Sequence, residues 1–261
     1  VTSMGPWFGS PLLALVPSVG EHVVRKVAGL SIDLDTVWAT GAAVVITCAL
    51  GLLVRRQLTS GVPGKLQLAW ETGIQLVTRQ IEGSIGPRGL AIVPLAVALF
   101  VFILIANLFE FVGIGSRYEW LGAPTGDINL PLAMAVFVIL LVHMASIRER
   151  GIGGYVKHYL LQPFPKFLFP LNLFINFVEE LSKPLTLALR LFGNLLSGTL
   201  MLSVIAFLGA WKLGSAPVGD VLVVPFNAIW KAFDLFIAVV QAFIFSLLTI
   251  LYFDTAMSTE H

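Results

Sequence analysis

Three stretches of the chain are apolar with no Asp, Glu, Lys or Arg. Residues 37–54 end at Arg55 and Arg56, residues 89–109 end at Glu110, and residues 128–147 hold only His143 and end in Arg148, Glu149 and Arg150. A helix that crosses ~30 Å of hydrocarbon needs about 20 such residues, and a crossing backbone must satisfy its own hydrogen bonds. The pattern predicts crossing helices at about 37–54, 89–111 and 128–148. Two further apolar segments, 167–211 and 221–253, are 45 and 33 residues long, roughly 68 and 50 Å as helices. Each must break or lie steeply tilted. Pro184 is a candidate break because it leaves the carbonyl of Glu180 without its helical donor, and Gly214, Ser215, Ala216 and Pro217 form a turn that would pair the two segments as an antiparallel hairpin.

Between the first two spans the period changes. Leu66, Trp70, Ile74, Val77 and Ile81 recur at helical spacing, with Gln67, Glu71, Gln75, Arg79 and Glu82 on the opposite side, the pattern of a helix lying on the membrane surface at about 65–83. The expected fold is an all-α membrane protein: five membrane-crossing helices, the last two at about 167–211 and 218–255, plus this interfacial helix. Residues 1–35, rich in Pro and Gly and with no basic start ahead of an apolar run, read as an external arm and not a signal peptide; residues 36–261 form a single membrane domain.

Composition agrees. The chain is 57% hydrophobic and 12% charged, which excludes an ordinary soluble globule, and a formal charge of +1 leaves no basic surplus for nucleic acid. Cys48, alone, can form no internal disulfide and reads as a small buried apolar residue. The connections 55–88 and 148–166 carry nine Lys or Arg, against four (Arg25, Lys26, Arg117, Lys212) in the N-terminal region and the other two loops. The positive-inside bias puts the first group in the cytoplasm, the N-terminus outside and the C-terminus inside, with Trp38, Trp120 and Trp211 at outer helix ends.

The polar residues inside the spans carry the chemistry. A charge at mid-bilayer costs from ~2.5 to over 10 kcal/mol, so such residues face protein or water and mark a pathway. The set is Glu110, His143, Glu179, Glu180, Lys183, Arg190, Lys231 and Asp234. On a helical wheel Asn172, Asn176, Glu179, Lys183, Thr186, Arg190, Asn194 and Ser197 share an ~80° sector, and Asn227, Lys231, Asp234 and Gln241 line one side of the last helix. Glu179 with Lys183, and Lys231 with Asp234, sit at ion-pair spacing and can simply neutralise each other. Arg190 has no acid three or four residues away, so its counter-charge comes from elsewhere: an Asp234 on the neighbouring helix, or a group outside the chain. A guanidinium stays protonated. It cannot relay a proton by releasing one, but it can hold a carboxylate ionised and bar cations from passing.

The run Leu181-Ser-Lys-Pro-Leu-Thr-Leu-Ala-Leu-Arg-Leu-Phe-Gly-Asn194 resembles the signature of the subunit a family of rotary ATP synthases, in its bacterial, actinobacterial form. Pro124-Thr-Gly-Asp-Ile-Asn129, Gly151-Ile-Gly-Gly154, Leu161-Gln-Pro-Phe164 and Gln241-Ala-Phe-Ile-Phe245 support the resemblance. It implies a membrane stator beside a rotating proteolipid ring, with partners in a peripheral stalk subunit b and a soluble ATP-synthesising head. Arg190 is then the essential cation, flanked by Asn194 and Gln241. Two offset aqueous half-channels are implied, an outer one using Asn107, Glu110 and Asp127 with Lys231 and Asp234, and an inner one using Asn172, Asn176, Glu179 and Glu180. One common bacterial pattern has a Glu nine residues after the Arg and a His seven before the Gln; Thr199 and Asp234 stand at those places. No nucleotide-binding loop occurs, so nucleotide chemistry belongs to other subunits, and no cofactor or metal is expected. A secondary transporter or antiporter-like subunit of a redox pump is the competing reading; it predicts inverted repeats or interrupted helices, which the sequence lacks.

Overall fold

A computed structural model describes residues 24–27, 30–59, 61–84, 87–112, 123–161, 164, 166–208 and 218–257. A small antiparallel hairpin, β1 (Val24–Val27) and β2 (Leu30–Asp33), pairs Val24 with Asp33 and Val27 with Leu30. It lies in the expected arm and is an addition to the helical reading. Helices follow: α1 (Leu34–Gln57), α2 (Lys65–Ser84), α3 (Val93–Val112), α4 (Asn129–Leu161), α5 (Phe169–Leu208) and α6 (Val218–Met257). Short 3-10 turns at Pro87–Ile92 and Pro124–Gly126 lead toward α3 and α4. Helices α1 and α3 to α6 are each long and apolar enough to cross a membrane.

Pro184 does not break its helix. Both α5 and α6 run for 40 residues with a proline inside, Pro184 and Pro225. Each is a rod of roughly 60 Å, about twice the hydrocarbon thickness, so each tilts or projects beyond it. The expected turn at 214–217 lies outside the described residues, as do Trp120 and Trp211. The connection expected after the third span differs as well: α4 continues to Leu161 across a kink at Gly151, whose φ of 70° and ψ of 163° are non-helical. Only glycine occupies that region without strain. The chain therefore turns at the first glycine of Gly151-Ile-Gly-Gly154 and resumes as a helix.

The core joins five helices. Ile81 of α2, Ala96, Leu99 and Ile103 of α3, Ala135, Val138 and Val142 of α4, Leu187, Ala188 and Leu191 of α5, and Ala242, Phe245, Ile250 and Phe253 of α6 form one buried cluster. Two side-chain hydrogen bonds fix α6 against α3: Ser246 Oγ donates to the Ala96 carbonyl at 2.8 Å and Asn107 Nδ2 to the Ala238 carbonyl at 3.4 Å. Rising α6 numbers meet falling α3 numbers, so the two helices are antiparallel. Helix α1 packs only a stripe, Ala39 and Ala43, on Ile105, Ala106 and Phe109 of α3; small residues let the two backbones approach. Ala42 and Leu50 pack against the same cluster and Val54 is buried, while most of the remaining α1 side chains, Trp38 and Cys48 among them, are exposed. Cys48 is thus exposed on a surface meant for lipid, and the expectation that it is buried fails because α1 is an outlying helix with one packed face.

The amphipathic helix α2 buries Ile81, with one departure on its polar side. Gln67 is buried: its Oε1 accepts from the Thr59 backbone N at 3.2 Å, and its Nε2 donates to the Thr59 carbonyl at 3.0 Å and to Glu71 Oε1 at 2.7 Å. The residue ties the α1–α2 turn. Gly151→Ala is expected to destabilise the protein by about 1–3 kcal/mol, the usual cost of a strained backbone position. Gly153→Ala, at a site with nothing within 4 Å of an added Cβ, serves as the neutral control in thermal unfolding of the detergent-solubilised protein. Equal midpoints for the two variants would contradict the kink.

Candidate functional site

Arg190 lies near the middle of α5, and its side chain is exposed on the outside of the bundle. It forms no ion pair or hydrogen bond with any described residue. The sequence-level alternative that pairs it with Asp234 is not found; Asp234 lies 3.7 Å from Lys231 Nζ. The reason is the rotational setting of α5. Leu187, Ala188, Leu191 and Leu195 turn into the core, which turns Thr186, Arg190 and Ser197 outward beside Leu185 and Leu189. Asn194 is half-buried. The hydroxyls nearby are spent on their own helix: Thr186 donates to the Ser182 carbonyl at 2.7 Å, Ser197 to Gly193 at 2.7 Å and Thr199 to Leu196 at 2.9 Å. Such back-bonding hides a hydroxyl's polarity in an apolar setting. What remains outward-facing and unmatched is the guanidinium.

One polar cluster sits where α3, α6 and the turn before α4 meet. Thr125, fully buried, donates to Asn107 Oδ1 at 2.8 Å, while Asn107 Nδ2 reaches the Ala238 carbonyl. Asp234, 3% exposed, lies one turn from Ala238. Along that side of α6, Asn227 Oδ1, Trp230 Nε1 and Gln241 Oε1 are buried without a hydrogen-bond partner among the described residues, and Asp234 Oδ2 has the Lys231 ammonium at 3.7 Å in place of one. Buried polar atoms are almost always satisfied, by protein or by water. The four residues, at steps of 3, 4 and 7, form one polar side of the helix. Asp127 stands apart: its Oδ1 accepts from the Asn129 backbone N at 3.0 Å and from Asn129 Nδ2 at 2.9 Å, a turn-forming role at the start of α4. Glu110 is in α3, with its side chain outside the described ones.

A second cluster joins α4 to the early part of α5. Lys183 Nζ lies 2.7 Å from Glu180 Oε1 and 3.0 Å from Glu179 Oε1, and Glu180 Oε2 lies 3.2 Å from His143 Nε2. His143 Nδ1 is 3.1 Å from the Tyr155 hydroxyl. A straight helix would hold residues 143 and 155 about 18 Å apart; the Gly151 kink brings them together. Asn172, fully buried, holds the chain entering α5 by accepting from the Phe164 backbone N at 2.9 Å and donating to the Phe164 carbonyl at 2.8 Å. Asn176 is half-buried. The structure thus gathers Glu179 and Glu180 as expected and adds His143 and Tyr155, whose partnership no spacing rule reveals. Thr125 and Trp230 were likewise invisible in the sequence, the first because its partner lies 18 residues away.

The two clusters occupy opposite ends of the bundle. Arg150, seven residues beyond His143, donates to the Thr255 carbonyl at 3.4 Å near the end of α6, whereas Asn107 meets α6 at Ala238. Glu180 is ten residues before Arg190, roughly 15 Å along the rod.

A model of the family described as "ATP synthase A chain" matches residues 36–254. The chain is 44% identical to the ATP synthase subunit a of Acidothermus cellulolyticus over 95% of its own length and 86% of that protein's. It is 42% identical to the one from Mycobacterium leprae, over 93% and 94%, and 36% identical to the one from Psychrobacter arcticus, over 88% and 85%.

Removing either half of the buried Thr125–Asn107 pair leaves the other unsatisfied, at a cost of about 1–3 kcal/mol. Thr125→Val and Asn107→Leu are each expected to lower stability by that much, and the double variant by clearly less than their sum. Simple additivity in thermal unfolding would show that the two side chains do not depend on each other.

Proposed function

The chain belongs to the ATP synthase A chain family, and on that footing we propose that it is the stator subunit of a bacterial rotary ATP synthase, working beside a ring of proteolipid subunits in the plasma membrane. Protons enter from outside through a half-channel past Asn107, Glu110 and Asp127 with Lys231 and Asp234, and load onto a carboxylate of the ring. After almost a full turn through lipid that carboxylate meets Arg190, unloads, and its proton leaves through Asn172, Asn176, Glu179 and Glu180 to the cytoplasm. Asn194 and Gln241 flank the arginine. A peripheral stalk subunit b holds the stator, and the soluble head makes ATP. The basic loops set the N-terminus outside and the C-terminus in the cytoplasm.

One observation carries this reading: a permanent cation halfway along an apolar helix, turned away from its own bundle and without an acid among the described residues. A guanidinium in that position requires an external carboxylate. Beside Arg190 a carboxyl group favours its ionised form, and in lipid it favours the protonated one. Arg190 therefore forces release at one point of the cycle and bars the direct path between the two channels. The orphan polar atoms along α6 support water on the outer side, and the paired cluster at the opposite end supports an inner route offset from it.

Arg190→Ala is expected to abolish proton-driven ATP synthesis by the whole complex in vesicles while leaving some passive leak, and Arg190→Lys to fail as a substitute, since an ammonium lacks the planar fork and can lose its proton when desolvated. Synthesis at the parental rate in the alanine variant would reject the mechanism. Cysteines at Thr186 and Asn194 should crosslink to a small two-span proteolipid, whereas cysteines at Leu187, Leu191 and Leu195 should not. Crosslinks only from the leucine positions would reverse the facing of α5.

A further inference from the structure

Resting on the stator reading above, we propose that His143 is the proton carrier at the cytoplasmic mouth of the inner half-channel, exchanging protons between Glu180 and outside water through its two ring nitrogens. The ring is gripped at both nitrogens, with Nε2 at 3.2 Å from Glu180 Oε2 and Nδ1 at 3.1 Å from the Tyr155 hydroxyl. Its plane stands edge-on to the tyrosine at 83° with centroids 6.0 Å apart. His143 and Glu180 side chains are 26% and 23% exposed, so both reach the surface of the chain.

Charge balance gives the site capacity for one proton. Glu179, Glu180 and Lys183, joined within 3.0 Å, sum to one net negative charge when all are ionised. A proton on Glu180 or on His143 cancels it.

The hydrogen-bond geometry accommodates the site both with a proton on Glu180 and without it, the ring being neutral in each. With Glu180 protonated and the imidazole hydrogen on Nδ1, Glu180 donates to Nε2 and Nδ1 donates to the tyrosine oxygen. With Glu180 ionised and the hydrogen on Nε2, the ring donates to the carboxylate and the tyrosine hydroxyl donates to Nδ1. Passage between them moves one proton from Glu180 Oε2 to Nε2 and the Nδ1 proton to the Tyr155 oxygen, which gives up its own proton to water. The ring is neutral at the start and at the end. Exchange of the ring hydrogen with water resets the tautomer. No polar contact is lost in either state.

Gly151 is what makes the arrangement possible. Its φ of 70° turns the end of α4 back, and without that turn Tyr155 could not approach His143.

The test uses the whole ATP synthase in vesicles with the head facing outward, where ATP hydrolysis draws protons in from the cytoplasmic face. His143→Ala is expected to slow ATP-driven proton uptake by roughly tenfold, less than the hundredfold or more typical of a general base, because water can reach a partly exposed Glu180 directly. Imidazole in the external buffer should restore much of the rate by occupying the space left by the ring, and tetramethylammonium chloride at equal ionic strength should not. His143→Gln, which keeps hydrogen-bonding capacity but carries no proton, should be equally slow and should not respond to imidazole. Uptake at the parental rate in both variants, or a slow alanine variant that imidazole leaves slow, would overturn the assignment. Arg190→Ala in the same vesicles separates the two readings: loss of coupled uptake there beside normal uptake in the histidine variants discards the carrier and leaves the stator standing, and normal uptake in Arg190→Ala discards the stator as well.

Discussion

A guanidinium without an acid of its own is the constraint from which the rest of the molecule follows. Moving such a group into hydrocarbon costs several kcal/mol, and an ion pair inside the chain would have offset that cost. Among the described residues there is none: the acids nearest in sequence, Glu179 and Glu180, are occupied by Lys183 and His143, and Asp234 lies against Lys231. Glu179, Glu180, Lys183, Lys231 and Asp234 each have an opposite charge within 4.0 Å. Arg190 is left out because α5 is rotated so that its leucines fill the core. The rotation that stabilises the bundle exposes the cation.

That rotation is held by rigid parts. Helices α5 and α6 each continue for 40 residues through a proline, where a missing N–H would ordinarily favour a break. Two packed helices of that length resist bending, so groups spaced along them keep fixed separations. The polar clusters are pinned independently, one by Asn107 bridging Thr125 and Ala238, the other by Lys183 and His143 around Glu180. In the proposed cycle the moving part is therefore the partner, and this chain supplies a fixed pattern of charge.

Much of this was legible in the sequence, for a physical reason. Lipid permits few backbone solutions, so uncharged runs gave the crossing helices directly, and the amphipathic period gave α2. The 3.6-residue period also placed Arg190 on the polar stripe of α5. What it could not show was which way that stripe faces, because Thr186 and Ser197 satisfy themselves on their own backbone and thus turn outward without penalty. The kink at Gly151 was readable only as a turn, since a φ of 70° is a property of the backbone and the sequence shows merely that glycine permits it. Gln67 lay on the polar side by period and is buried nonetheless, because its amide matches both backbone groups of Thr59. Local hydrogen bonding overrode periodicity there. Asp127 shows a second role that the helical period does not reveal: its carboxylate also closes the turn into α4 by accepting from Asn129.

The two ends of the bundle differ in a way that bears on how protons could be handled. On α6, buried polar atoms of Asn227, Trp230 and Gln241 have no hydrogen-bond partner among the described residues, and in the proposed channel water along the helix would solvate them. Such a face is permissive: water can reorient, and no single side chain is indispensable to it. Around Glu180 the situation is reversed, with acid, base, imidazole and phenol matched at 2.7–3.2 Å. A matched network holds its members in place and confines a proton to a few defined atoms. On this argument Asp234, which departs from the common bacterial arrangement, is tolerable in the proposed channel because it falls on the permissive side. A wet path requires a polar atom within reach at each turn, and an Asp on α6 meets that requirement as well as a Glu on α5 would. The same freedom is absent at the other end, where replacing any one member leaves a charge or a hydrogen-bonding atom without its counterpart.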